Sequence, residues 1–167
     1  SIGNEIIKYK PGNHYYHSFK SIDEKNENSA LISTFLLGKI NIREKCICLL
    51  LQTMLSDEFF DDLRTNQCLG YYVSFYLTSF VKIDAFCLAV ESSVKPPEHI
   101  TNRITKFLDE NNPMTEKKDE EYKEDFTQYK ASLTQDLKKK DYILSNEFER
   151  NFHEISTREY NFEKNIE

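Results

Sequence analysis

An α+β fold, with an antiparallel sheet covered on one side by helices, is what the order of patterns along this chain predicts. Three observations carry it. Segments rich in β-branched and aromatic residues come first, one long apolar helical stretch follows, and a hairpin then gives way to three amphipathic helical stretches. At 167 residues the chain is long enough to bury a real core in one domain. We read the sheet and long helix over about residues 14–95 and a helical section over about 97–160.

HYYHSFK (His14–Lys20) and NSALISTFLLG (Asn28–Gly38) have strand composition and are separated by the polar stretch Ser21–Glu27. A weaker strand is expected at Glu5–Tyr9, ahead of Pro11 and Gly12. From Ile42 to about Asn66 the period changes. Ile42, Cys46, Leu49, Leu50, Met54 and Leu63 recur at helical spacings, and CICLLL is apolar nearly all round. That pattern predicts a helix buried on more than one face, lying across the sheet as its central element.

Tyr71–Ser79 and Lys82–Ser92 follow as a hairpin, and the run IDAFCLAV in the second marks an inner strand. Lys95-Pro96-Pro97 stops the sheet, since proline removes a ladder donor and fixes φ. Ile100, Ile104, Phe107 and Leu108 then form a helical stripe that Asn111-Asn112-Pro113 ends. Thr115 is expected to cap a helix with the stripe Tyr122, Phe126, Tyr129, Leu133 and Leu137. Ser145 should cap a last one bearing Phe148, Phe152 and Ile155. The mixed charges of Glu116–Asp125 read as a solvated helix face.

Composition excludes several functions. The chain is 39% hydrophobic and 30% charged with a net charge of −6. No apolar run approaches the roughly 18–20 residues of a membrane span. An acidic chain lacks the basic face that nonspecific nucleic-acid binding needs. Its four glycines do not cluster into a phosphate-binding loop. The chain begins at Ser1 without a methionine and reads as a fragment or processed piece; no charged-then-apolar leader is visible, and its compartment stays unknown. Cys46, Cys48, Cys68 and Cys87 match no disulfide framework and are expected as free, mostly buried thiols. Cys46 and Cys48 lie about 200° apart around a helix and cannot clasp one metal.

His14 and His17 form H-x-x-H, but on a strand positions three apart point to opposite faces. His153-Glu154 begins like a zinc motif, which fails at Thr157. No nucleophile paired with a base can be placed. What remains is LRTNQCLGYYV (Leu63–Val73), where a helix ends and a strand begins. On the plain reading, Arg64 neutralises the helix dipole, Gly70 supplies a left-handed exit, and Tyr71 is a β-former. On the sharper one, Arg64 and Tyr71 converge across the fold-back. A guanidinium and a phenol aimed at one spot suit a carbonyl oxygen that is gaining negative charge.

ENSALISTFLLGK, FFDDLRTNQCLGYYV, ESSVKPPEHITNRITKFL and LSNEFERNFHEISTREYNF together resemble the fourth domain of insulysin-type (insulin-degrading) enzymes of the pitrilysin group of zinc metallopeptidases. The resemblance spans about Ser18–Asn165, and L-R-T-x-x-x-L-G-Y is its most specific part. It implies a metallopeptidase domain of the kind found in processing peptidases, non-catalytic and inactive alone, that encloses peptide substrates. The implied partner is the N-terminal catalytic half of the same enzyme, which holds the zinc, polarises the carbonyl and activates water. No cofactor or metal is implied for this chain. Carried over, Arg64 and Tyr71 stabilise the transition state and Phe60 lines the same cavity. Two departures stand out: Cys68 occupies a place where glutamine is common, and the chain stops at Glu167 where relatives continue with a helix and a strand. A catalytically dead scaffold or binding domain of the same fold is the alternative.

Overall fold

The computed structural model describes residues 9–80, 83–112, 116–139, 143–157, 160 and 162, without the side chains of 116–125 and 157. Three strands, β1 (Ser29–Gly38), β2 (Tyr72–Phe80) and β3 (Ile83–Ser92), form an antiparallel sheet in the order β1-β3-β2. Between β1 and β2 runs α1 (Ile42–Phe60), which continues into a π-helical turn at Asp61–Asn66; α2 (Pro97–Glu110), α3 (Glu116–Leu137) and α4 (Leu144–Thr157) follow β3. The α+β class and the antiparallel sheet stand as expected.

The inner position of β3 follows from its sequence. A continuous apolar run suits a strand with a neighbour on either edge, and IDAFCLAV, flanked by β1 and β2, is buried almost throughout. Phe86, Leu88 and Val90 face the helices together with Val73 and Phe75 of β2. Met54, Leu55, Phe59 and Leu63 from the long helix and Ile100, Ile104 and Phe107 from α2 complete that core. Phe59 is its hub, with ring centroids 5.1 Å from Phe107 and 6.2 Å from Phe75, both edge-on as aromatic quadrupoles favour.

Local signals set the ends of the elements. Asn41 Oδ1 accepts the Glu44 N–H at 3.0 Å, and Glu44 Oε2 accepts the Asn41 N–H at 2.7 Å. That reciprocal box fixes the start of α1. Ser92 Oγ accepts from the backbone of Val94 and Lys95 at 3.2 and 3.0 Å, turning the chain toward Pro97 at the first position of α2. Lys45 reaches Asp84 at 3.6 Å, and Asp84 also accepts from Ser79 Oγ, tying α1 to the hairpin.

Several expectations are corrected. His14–Lys20 is not a strand. Its rings pair locally, Tyr9 with Tyr15 at 4.6 Å and His17 with Phe19 at 4.7 Å. β-propensity makes a strand only where a neighbour supplies the ladder, and this segment has none among the described residues. The opposite-faces argument about His14 and His17 therefore loses its basis. Tyr9 is likewise outside any strand, and the rest of Glu5–Tyr9 lies outside the described residues, as does Thr115. Ser145 does not cap α4: the helix starts one residue earlier, and the Ile143 carbonyl receives the first N–H groups.

The long helix is not buried on more than one face. Its second half is, but Ile42 is 75% and Ile47 58% exposed, and Cys46 is exposed too. Among the four free cysteines only Cys87 is buried. The last helices likewise leave apolar residues in the open. Phe148 and Phe152 of α4 stack on each other, centroids 5.8 Å apart, and both are exposed together with Ile155.

Candidate functional site

The expected α-helical run to Asn66 changes character at Asp61. The backbone widens into a π-turn over DDLRTN, then closes with Gln67 N–H on Asp62 O (3.2 Å), Cys68 N–H on Arg64 O (3.1 Å) and Leu69 N–H on Leu63 O (3.0 Å). π-turns are rare and concentrate at functional positions. Leu63 and Leu69 are both buried and pin the turn to the core from its two arms.

The left-handed residue at this exit is Cys68, with φ of 51°, and not Gly70. Gly70 is required for another reason. A Cβ there would stand 1.7 Å from the Glu91 carbonyl oxygen of β3. Glycine serves here as the residue that lets two backbones touch.

With the turn so closed, Arg64 and Tyr71 meet. The guanidinium carbon of Arg64 lies 4.8 Å from the Tyr71 ring centroid and 5.0 Å from that of Phe60. Both distances suit cation–π attraction. Phe60 is one residue from Phe59, about 100° around the helix; hence Phe59 is wholly buried while Phe60 is 37% exposed and faces Arg64. Tyr71 is 86% exposed. All three sequence-predicted residues thus share one solvent-facing patch.

Arg64 carries no ion pair to a carboxylate among the described residues, although Asp61 and Asp62 stand three and two residues before it. Each acid is engaged elsewhere. Asp61 accepts from Thr65 Oγ1 at 3.2 Å. Asp62 accepts from Gln67 Nε2 at 2.7 Å and from Arg103 Nη2 at 3.4 Å. The guanidinium is held by ring faces, so its N–H donors remain for something else. Sequence reasoning missed this clamp. Its one readable signal was an Asp-Asp pair near a helix C-terminus, where negative charge is disfavoured and calls for a cation.

No three His, Cys, Asp or Glu side chains converge on a possible metal position among the described residues. His153-Glu154 sits on α4 with no such cluster, and Glu154 is buried. The described residues offer no zinc ligand set, and no step of chemistry is assigned to a metal here.

Comparison with known proteins decides the family. The description "PQQ synthase PqqF-like, C-terminal lobe domain 4" matches residues 50–152. The chain belongs to that family. It is a C-terminal-lobe domain of the insulinase-like, pitrilysin-type peptidases. A nardilysin-like protein of Arabidopsis thaliana is 28% identical over 121 residues, 72% of this chain and 12% of that protein. Nardilysin of Homo sapiens is 26% identical over 156 residues, 92% of this chain and 13% of that protein. An Arabidopsis insulin-degrading enzyme-like protein is 26% identical over 127 residues, 75% of this chain. The crystal structure of pitrilysin shares the fold, with a TM-score of 0.58 and 16% identity, over 85% of this chain and 15% of that one. The chain therefore spans about an eighth of the length of the curated relatives it matches.

Proposed function

We propose that this chain is the non-catalytic part of a zinc metallopeptidase, closing over a peptide and completing the active site of a catalytic half elsewhere in the parent protein. The supporting observation is the meeting of Arg64, Phe60 and Tyr71 on one exposed patch, with the guanidinium bound to rings and to no carboxylate among the described residues. Family membership supplies the setting, in which zinc and the general base belong to the catalytic half.

On this reading the chain's residues act on charge and not on bonds. As water adds to a scissile carbonyl, its oxygen becomes anionic. An Arg64 N–H and the Tyr71 O–H donate to it, and neither has to leave another strong acceptor first. Phe60 and the Tyr71 ring keep the guanidinium from wandering and exclude water from one side, which strengthens both hydrogen bonds. Phe60 also offers an apolar wall to the neighbouring substrate side chain.

The test is made in the full-length parent. Arg64→Ala and Tyr71→Phe should each lower kcat/KM for peptide cleavage by about 10²–10³, as losing one oxyanion donor does, roughly 3–4 kcal/mol of barrier. Thermal unfolding should be little changed. Cleavage unaffected by both would instead favour a scaffold or binding role for this domain.

A further inference from the structure

We propose that Asp62 is a positioning residue, whose carboxylate spans the π-turn to α2 and thereby sets where Arg64 stands relative to Tyr71. Asp62 lies two residues before Arg64, and Gln67, on the far side of the turn, donates to its Oδ1 at 2.7 Å. Its other oxygen, Oδ2, takes Arg103 Nη2 at 3.4 Å. Arg103 belongs to α2, between the core residues Ile100 and Ile104. One carboxylate therefore joins both ends of the turn to a helix fixed in the core.

The neighbourhood makes that clamp specific. Arg103 Nε is buried without a hydrogen-bond partner among the described residues, so its guanidinium has a single described ionic contact, Asp62. A neutral amide at 62 cannot replace the carboxylate. An asparagine oxygen turned to Gln67 would point its own NH₂ at Arg103, donor against donor, with the cation uncompensated. The π-turn has more freedom than an α-turn to relax, and without the tie Arg64 loses its place over the rings. Asp62 accepts from Gln67 and Arg103, and no ion pair of Arg64 with Asp61 or Asp62 is seen among the described residues. The value of this arrangement to catalysis rests on the reading of Arg64 and Tyr71 given above, but its test does not.

The 167-residue chain itself is used. In ¹³C/¹⁵N NMR, the Arg64 side-chain protons should be shifted upfield by the rings of Phe60 and Tyr71, and Phe60→Leu with Tyr71→Leu assigns that shift. In Asp62→Asn the upfield shift should collapse while the Leu88 and Val90 methyl signals of the core stay in place. Gln67→Leu, which breaks only one arm, should reduce it in part. An Arg64 shift that survives in Asp62→Asn overturns the proposal. So does a core that moves together with Arg64 in both variants, because Asp62 is then a brace for the whole fold. In the full-length parent, Asp62→Asn should lower kcat and leave KM unchanged. If Arg64→Ala leaves cleavage intact, the catalytic reading fails while the NMR result still decides the clamp.

Discussion

Gly70 and Cys68, two residues apart, have exchanged the roles that glycine and non-glycine residues usually take. Gly70 abuts the Glu91 carbonyl with no room for a methyl group. Gly70→Ala should therefore destabilise the chain by about 1–3 kcal/mol, through overpacking against backbone. Cys68 sits at φ 51°, a region that costs an L-residue roughly 1–2 kcal/mol and a glycine almost nothing. Cys68→Gly is accordingly expected to raise stability by about 1 kcal/mol. Urea unfolding of both variants checks the pair, and a Gly70→Ala protein as stable as the parent chain would contradict the close approach. The residues of the patch were legible because a motif names them: Arg64, Phe60 and Tyr71 come from L-R-T-x-x-x-L-G-Y and its flank. The left-handed position was not. Which residue takes positive φ depends on where the helix lets go, and the extra width of the π-turn moves that point in a way no spacing rule anticipates.

At the level of elements, the boundaries set by side chains lie where local chemistry puts them. The capping box on α1 is one such feature, and Asn41→Ala should cost about 1 kcal/mol, measurable by thermal unfolding. The open face of the sheet offers a pH-dependent test. There Cys87 of β3 lies in register with Tyr76 of β2 and Thr34 of β1, and Thr34 Oγ1 is 3.7 Å from its sulfur. Burial, and after it Cys87 and Tyr72, push the Tyr76 phenol above its ordinary value. The folded chain then holds a proton that the unfolded chain gives up, so stability is unaffected below about pH 10 and falls as pH rises through it. Tyr76→Phe should remove that part of the alkaline loss in denaturation midpoints measured from about pH 8 to 11. Strand type was readable from composition and apolar runs for β1 and the hairpin, and helix type from period for α1 and α2. His14–Lys20 was misread because aromatic and β-former content reports what a strand's side chains want, while its backbone partners come from elsewhere in space.

For the whole molecule, apolar surface is left over on three faces. Ile32 and Leu36 on β1, Ile42 and Ile47 on α1, and Phe148, Phe152 and Ile155 on α4 are all exposed. Among the described residues no helix is long and apolar enough to cross a membrane, and patches of this kind favour association with other protein surfaces. The isolated chain should therefore self-associate with rising concentration in sedimentation velocity. Ile32→Lys, a charge on an edge strand, should weaken that association without lowering stability. Persistent monomer at high concentration in the unsubstituted chain would count against it. The sequence announced the stripe on α4 correctly; whether a stripe finds a cover depends on what surrounds it, which periodicity does not encode.

One small contact has a larger bearing on how such a molecule can grow. The Leu77 N–H on the outer edge of β2 donates to Gln52 Oε1 of α1 at 2.6 Å, so a side chain occupies a rung where a neighbouring strand would otherwise bind. No equivalent plug is seen among the described residues of β1. One rung of that side is thus already taken, and an additional strand, from the same polypeptide or another, meets no such contact beside Ser29–Gly38 among the described residues.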